Sequence, residues 1–162
     1  IGFDHFARSA TDPLAIAAQA GAVRRNFQGF TDDDAPALIG LGASAISSFE
    51  TLLAQNEKNS GRYRMLASDG RIATVRGVSR SADDRIRGRV IEQLLCSGKA
   101  QVPPEFEADT SRLLRPFLDR GLASCEEGTI SITPNGLPYS RAIAAQFDPY
   151  RNHLPDRFSS AV

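Results

Sequence analysis

Apolar residues recur at helical spacing in the second half of the chain and predict its clearest elements. One stripe follows an i, i+4, i+5, i+8, i+9 pattern through Ile86, Val90, Ile91, Leu94 and Leu95. Such a stripe is one face of an amphipathic helix, and Ser81 with Asp84 offers a capping box at its start. A second stripe predicts a helix that Thr110 caps and Gly121 ends, with Leu113, Leu114, Phe117 and Leu118 on its apolar side.

A predicted β-hairpin follows this helix, and a further helix follows the hairpin. Residues 122–125 and 129–133 flank Glu126-Glu127-Gly128, an order that predicts a β-hairpin. Thr133-Pro134 predicts the start of a third helix, which carries Tyr139, Ile143 and Phe147 four residues apart. Helix, helix, hairpin and helix is the order of a winged helix. We expect these elements to share a core of Ile86, Val90, Leu94, Leu114, Phe117, Leu118, Ile132 and Ile143.

The first half has shorter elements. Residues 1–6 predict a strand whose end presents Asp4 and His5, and residues 14–20 predict an Ala-rich helix with Thr11 as its N-cap. Residues 47–55 carry Phe49, Leu52 and Leu53 at helical spacing. A short helix over 61–68, the turn Asp69-Gly70 and a strand over 72–78 follow. The fold class predicted is therefore α+β and mainly helical.

Composition and charge exclude several classes of protein. The 162 residues are 41% hydrophobic, and 19 Lys and Arg balance 19 Asp and Glu, so no overall field attracts nucleic acid or an anionic membrane. No apolar run is long enough to span a membrane, and the two cysteines, Cys96 and Cys125, are too few for a zinc or iron–sulfur site. We expect no metal site, a cytoplasmic location and a monomer.

Candidate chemistry lies in the stretch from residue 24 to residue 47. Gly40 and Gly42 stand two apart between Ile39 and Leu41, which predicts a buried strand entering a tight turn. Glycine there allows a backbone to approach a ligand. The full dinucleotide-binding pattern is not met, because Ala45 stands where a third glycine would. From the residues alone, this is a ligand-facing loop.

Three motifs in this order and spacing resemble a known family. They are Asp4-His5-Phe6-Ala7, then Arg25-Asn26-Phe27-Gln28-Gly29-Phe30-Thr31, then Ile39-Gly40-Leu41-Gly42-Ala43-Ser44-Ala45-Ile46-Ser47. The chain resembles oxygen-independent coproporphyrinogen III oxidase, a radical S-adenosylmethionine (SAM) enzyme of haem biosynthesis. Weaker matches continue through Ala54-Gln55-Asn56, Arg76-Gly77, Asp83-Asp84-Arg85-Ile86-Arg87, Leu95-Cys96 and Thr133-Pro134-Asn135-Gly136. The family's Cys-x3-Cys-x2-Cys motif for its [4Fe–4S] cluster is absent from this sequence.

The resemblance implies a domain plan and a reaction. Residues 1–55 would be the C-terminal end of a radical SAM (βα) barrel, 56–79 a connecting helix and strand, and 80–162 a winged-helix-like domain that caps it, all in the C-terminal portion of a longer protein. In that parent, a radical derived from SAM would remove hydrogen from two propionates of coproporphyrinogen III. Loss of CO2 and an electron to an acceptor would then leave the vinyls of protoporphyrinogen IX.

The resemblance also implies roles for five residues. Phe27 and Gln28 match catalytic-site positions, as a stacking surface and an amide that can hydrogen-bond. Ile46 matches a position that contacts SAM, and Gly40 and Gly42, just before it, are the other expected cofactor-binding residues. Because this chain lacks the cluster cysteines, we expect it to bind no cofactor and to be inactive when isolated.

Two other functions stay open at this stage. The related haem chaperones bind haem and do not oxidise a porphyrinogen, but they carry a His-Asn element with Tyr-Trp where this chain has Arg25-Asn26-Phe27-Gln28-Gly29-Phe30. A winged helix could bind nucleic acid or a partner protein. The predicted hairpin tip is Glu126-Glu127, however, and an acidic tip repels phosphate, so we expect no nucleic-acid partner.

Overall fold

A computed structural model describes residues 1–151, and residues 152–162, the end of the predicted winged-helix-like part, lie outside the described residues. The chain divides into two compact units. We call residues 34–85 the inserted unit, because residues 1–33 and the chain from residue 86 onward together form the other one, the discontinuous unit. These units differ from the three parts predicted at residues 55 and 79, which stay a prediction.

The inserted unit is a three-stranded antiparallel sheet with one helix. Strands β3 (Ile46–Ser48) and β4 (Leu52–Asn56) form a hairpin, α2 (Ser60–Ser68) follows, and β5 (Thr74–Ser79) pairs with the other side of β4. A register irregularity between Gln55 and Asn56 pairs Asn56 with Thr74 and leaves Val75 as an extra residue, a β-bulge. The helix of residues 61–68 and the strand of 72–78 are confirmed, with small shifts of their ends.

The helical interpretation of residues 47–55 is wrong, because this segment is the β3–β4 hairpin. Phe49 and Leu52, whose spacing suggested a helix, lie in the hairpin turn and its edge, where the Phe49 N–H donates to the Leu52 carbonyl over 2.9 Å. Arg80 holds the turn: its guanidinium donates to the carbonyl of Phe49 and, over 2.8 Å, to that of Glu50. Three apolar residues are too few to separate a helix from a turn.

The first segment of the discontinuous unit contains one helix and one hairpin. Helix α1 (Pro13–Gln19) is capped by Asp12, whose side chain accepts from the N–H groups of Leu14 and Ala15, so the expected Thr11 cap is wrong. Strands β1 (Arg24–Asn26) and β2 (Gly29–Thr31) then pair antiparallel. Residues 1–6 form a turn where a strand was expected.

The second segment alternates helices with a small sheet. Helix α3 (Ala82–Ser97) begins with the predicted capping box, in which the Ser81 N–H donates to Asp84 over 2.9 Å and the Asp84 N–H donates to Ser81 over 3.1 Å. A further strand, β6 (Lys99–Gln101), was not predicted. It pairs with the far side of the predicted hairpin, β7 (Ala123–Glu126) and β8 (Thr129–Ile132), in the order β6-β8-β7.

The remaining helices differ from their predicted bounds. Helix α4 (Glu107–Leu118) starts before Thr110, which is buried inside it, so the expected Thr110 cap is wrong. A 3₁₀ turn over Pro104–Phe106 leads directly into α4 and starts it early. The prediction of one continuous third helix is also wrong, because Pro138 interrupts the helix. The chain there forms a 3₁₀ helix, then α5 (Ser140–Ala144) and a last 3₁₀ turn.

The core of the discontinuous unit is close to the predicted one. Val90, Leu94, Leu114 and Ile143 are buried in it, and Phe117, Leu118 and Ile132 pack partly buried against it. Ile86 is not among the residues of this cluster. Val102, Ile130 and Phe147 were missed, although each is almost fully buried.

The architecture is α+β, as predicted. Every strand pair in residues 1–151 is antiparallel, so the end of a (βα) barrel is not confirmed, and neither is the winged helix. Among these same residues, no helix combines the length and the apolar character that crossing a membrane requires.

Candidate functional site

The hairpin of β1 and β2 displays two side chains at its tip. Asn26 pairs with Gly29, which leaves Phe27 and Gln28 as the connecting residues. The Asn26 side-chain oxygen accepts from the Gln28 N–H over 2.8 Å, an Asx turn that fixes the tip. Phe27 is 54% exposed and Gln28 is exposed as well. An aromatic ring held in solvent by a fixed turn adds little to folding and is available to a ligand.

A carboxylate of α3 anchors this hairpin. Glu92 accepts from the Arg24 guanidinium over 2.9 Å and from the Arg25 N–H over 3.0 Å. One carboxylate therefore binds both a side chain and the backbone of β1. The tip is held from its base as well as by its own turn.

Aromatic and charged groups surround Phe30, the central residue of β2. The His5 ring meets Phe30 edge-on with 5.0 Å between ring centres, and the Arg25 guanidinium lies 5.7 Å from the Phe30 ring centre. His5 Nδ1 lies 2.7 Å from an Asp4 oxygen, and Arg141 donates to the other Asp4 oxygen over 2.9 Å. Burial raises the pKa of Asp4, but His5 and Arg141 outweigh it and lower this pKa overall.

The second candidate region is the loop that precedes β3, which we call the glycine loop (residues 38–45). One buried amide organises it. The Asn56 side-chain nitrogen donates to the carbonyls of Gly40 and Gly42 over 3.0 and 3.1 Å, and its oxygen accepts from the Thr74 hydroxyl over 3.2 Å. All these bonds stay inside the inserted unit. Asn56 thus fixes the direction of two loop carbonyls, those on either side of Leu41.

Further bonds complete the glycine loop. The Gly40 N–H donates to the Ser47 hydroxyl over 3.0 Å, and the Gly42 N–H donates to the Tyr63 hydroxyl over 3.0 Å. The Gln55 amide donates to the Ser44 carbonyl over 3.1 Å. These partners come from β3, α2 and β4, so each element of the inserted unit that precedes β5 holds the loop.

The two glycines serve different needs. A Cβ on Gly40 would lie 2.7 Å from the Ile46 carbonyl oxygen and 2.9 Å from the Ile46 nitrogen, so only glycine fits against this backbone. Gly42 instead has a φ of 108° and open space where a Cβ would stand. Gly40 therefore brings the loop onto Ile46, while Gly42 gives it a backbone turn that other residues rarely adopt.

Ile46 stands at the first position of β3, half-buried beside this loop. The pairing register sets it opposite Gln55, and Gln55 opposite Arg76. Paired residues of antiparallel strands point to the same face of a sheet. Ile46, Gln55 and Arg76 therefore form one row across the sheet, which we call the Ile46 row.

The five predicted site residues fall into two groups. Gly40, Gly42 and Ile46 come together in the inserted unit, and Phe27 and Gln28 stand side by side on the hairpin of the discontinuous unit. Sequence reasoning missed Asn56 as the residue that holds the glycine loop. Its signal in the sequence was the weaker family match Ala54-Gln55-Asn56, to which no role was attached. Buried polar groups in proteins are nearly always hydrogen-bonded, as this amide is.

The cysteines do not fit an iron–sulfur cluster. Burial, and next the charge of Glu92, raise the pKa of Cys96 to about 11, and burial also raises the pKa of Cys125. A thiol in this state is protonated and is a poor metal ligand. Within residues 1–151, no group of three or more His, Cys, Asp or Glu side chains is arranged to hold a metal ion.

Known proteins are similar to this chain in sequence and in fold. No family model matches the chain. The chain is 44% identical, over 93% of its length, to the oxygen-independent coproporphyrinogen III oxidase of Paracoccus denitrificans. It is 36% identical, over the same share, to the enzyme of that name from Escherichia coli. The chain spans about a third of the length of these relatives, 35% in each case.

A solved structure agrees with these relatives. The coproporphyrinogen III oxidase HemN from Escherichia coli, described as a radical SAM enzyme, superposes with a TM-score of 0.82 at 36% identity, over 93% of this chain and 37% of that one. In sequence and fold, the chain is homologous to part of a radical SAM enzyme. The family is that of the oxygen-independent coproporphyrinogen III oxidases, which confirms the resemblance of the three motifs.

Proposed function

We propose that this chain is the C-terminal portion of an oxygen-independent coproporphyrinogen III oxidase and supplies part of its SAM and substrate site. The observation that carries the proposal is the match to HemN in both sequence and fold over 93% of the chain. The reaction converts two propionates of coproporphyrinogen III to vinyls with loss of CO2. The parent acts in haem biosynthesis as a cytoplasmic monomer, and an electron acceptor completes the turnover.

The glycine loop and Ile46 bind the adenosine part of SAM. An aliphatic side chain that is half-buried beside a loop offers an apolar surface for the flat face of a base. Gly42 leaves space at the backbone where a side chain would otherwise stand. Because Asn56, Ser47 and Tyr63 fix the loop before a ligand arrives, binding orders little of the chain.

The hairpin tip positions the reacting ligand. Phe27 offers a ring for stacking, and Gln28 offers an amide that can both donate and accept a hydrogen bond. The Asx turn of Asn26 and the anchor of Glu92 hold both side chains in place, which limits their motion during the reaction. SAM, when bound beside a cluster held by residues outside this chain, supplies the radical chemistry.

Two substitutions in the full-length enzyme test this function. Gln28→Ala and Ile46→Ala should leave the fold and the iron–sulfur absorbance intact while lowering coproporphyrinogen III turnover about 10-fold or more, which equals roughly 1.4 kcal/mol in the barrier. Gln19→Ala removes the same amide from an exposed position on α1 and is the matched control. Its turnover should equal that of the unmodified enzyme.

The opposite result is equally clear. If Gln28→Ala and Ile46→Ala lower the melting temperature but keep normal turnover per folded, cluster-loaded enzyme, the two residues only pack the structure. The assignment of the hairpin tip and of Ile46 to the active site would then be wrong.

A further inference from the structure

We propose that Arg76 is a ligand-binding residue of the same site and binds a carboxylate of the ligand that lies against Ile46. This inference rests on the proposed function, because SAM and a propionate-bearing tetrapyrrole are the ligands considered. Both carry carboxylates, so the shared chemistry is one carboxylate and one guanidinium.

The position of Arg76 follows from the pairing of three strands. Ile46 pairs with Gln55, and Gln55 pairs with Arg76, so the Ile46 row runs straight across β3, β4 and β5. Neighbouring strands lie about 4.8 Å apart, which separates Ile46 from Arg76 by about 10 Å at the backbone. A ligand whose apolar end packs on Ile46 and whose acidic end lies about 10 Å away can therefore contact both residues.

The β-bulge sets which face of the sheet Arg76 occupies. On the opposite face, Asn56 and Thr74 bond to each other and hold the glycine loop. The extra residue Val75 lies between Thr74 and Arg76, and Arg76 pairs with Gln55 on the face of Ile46. Without the bulge, the alternation of β5 would place Arg76 and Thr74 on one face.

The surroundings of Arg76 leave its charge available. It is exposed, and within the described residues its guanidinium takes part in no hydrogen bond or ion pair. The Gln55 amide next to it already donates to Ser44. Arginine presents a planar fork of donors that matches both oxygens of a carboxylate, so the residue type fits this role.

The test uses the full-length enzyme, reconstituted anaerobically, with Arg76→Gln, Arg76→Lys and the control Arg64→Gln. Arg64 is an exposed arginine of α2 in the same unit. Equilibrium dialysis measures binding of SAM and of decarboxylated SAM, which lacks the carboxylate. Steady-state kinetics measure KM and kcat for coproporphyrinogen III. Circular dichroism and the melting temperature verify the fold.

Two outcomes support the inference and identify the source of the carboxylate. If Arg76 binds SAM, Arg76→Gln weakens the binding of SAM about 10-fold or more, equal to about 1.4 kcal/mol. The affinity for decarboxylated SAM is then unchanged. If it binds a propionate, SAM affinity is unchanged and KM for coproporphyrinogen III rises about 10-fold or more. In both cases Arg76→Lys recovers part of the loss, because the charge remains without the fork.

Two outcomes overturn it. Exposed charges on edge strands also prevent association between sheets. In the first, Arg76→Gln changes only solubility or association and alters the SAM affinity and the KM for coproporphyrinogen III by less than about 2-fold, as Arg64→Gln should. Arg76 then has that protective role, and the inference fails while the proposed function stands. If the unmodified enzyme neither binds SAM nor turns over coproporphyrinogen III, the proposed function fails and the inference with it.

Discussion

Replacing Gly40 with alanine should displace the glycine loop by a single methyl group. The new Cβ would lie 2.7 Å from the Ile46 carbonyl oxygen and 2.8 Å from its carbon, whereas ordinary contacts begin at 3.4 Å. The loop and Ile46 must therefore separate by at least 0.7 Å at the closest pair. Neither side can yield through a rotamer change, because the clash is with backbone.

The energetic cost follows from that separation. Overpacking by one methyl group against a rigid neighbour costs about 1–3 kcal/mol. The same movement stretches the bonds from the Gly40 N–H to Ser47 and from Asn56 to the Gly40 carbonyl, both 3.0 Å long. Each bond contributes about 0.5–1.5 kcal/mol. We expect Gly40→Ala to lower the free energy of unfolding by about 1–3 kcal/mol or slightly more.

Urea denaturation of the 162-residue chain measures this change, and hydrogen exchange of the residue 38–57 amides locates it. Gly88→Ala is the matched control, because it adds the same methyl group to an exposed position in α3 with nothing within 4 Å of the new Cβ. This substitution should raise stability by about 0.5–1 kcal/mol, since alanine is favoured over glycine inside a helix. The free energy of unfolding should thus fall for Gly40→Ala and rise for Gly88→Ala.

A specific result would refute this reasoning. If Gly40→Ala and Gly88→Ala changed stability by the same amount, within about 0.5 kcal/mol, the close approach of Gly40 to Ile46 would not exist in solution. The fixed geometry proposed for the glycine loop would then lose its main support.

Three further predictions concern the discontinuous unit and the chain as a whole. Leu114 is 0% exposed, so Leu114→Ala should cost about 2–5 kcal/mol in urea denaturation, and a change below about 0.5 kcal/mol would mean that it lies at the surface. The pKa of Cys96 is raised from 9.0 to about 11 on folding. The unfolded chain therefore loses the Cys96 proton more easily than the folded one, so the free energy of unfolding is unaffected by this thiol below pH 9 and falls as the pH rises toward 11. Cys96→Ala should remove this part of the loss of stability. Anaerobic incubation of the chain alone with iron and sulfide should give no four-iron absorbance, and a stoichiometric chromophore would contradict this.

The second half of the chain could be predicted well because its signals are strong and local. The stripe from Ile86 to Leu95 and the capping box of Ser81 gave α3 almost to its ends. The turn Glu127-Gly128 has positive φ at both residues, which a two-residue hairpin with this twist needs. β6 was missed, because three residues beside a glycine carry too little pattern to predict a strand.

The first half was predicted less well because pairing at a distance decides it. Nothing in residues 47–55 alone shows that β4 pairs with residues 74–79, a pairing that completes the sheet on the far side of the β3–β4 hairpin. The site shows the same limit. The five proposed site residues came from the resemblance, while the role of Asn56 depends on carbonyls that lie 14 and 16 residues earlier in the chain.

The interrupted course of the discontinuous unit sets an order of events during translation. Its bonds join Arg24 to Glu92, 68 residues later, and Asp4 to Arg141, 137 residues later. The three strands of the inserted unit pair with one another and all lie before residue 80, so their sheet can form while the ribosome is still adding α3. The Phe27 hairpin, although made earlier, must wait for its anchor. Of the two parts proposed to face the ligand, the one that leaves the ribosome first is therefore secured last.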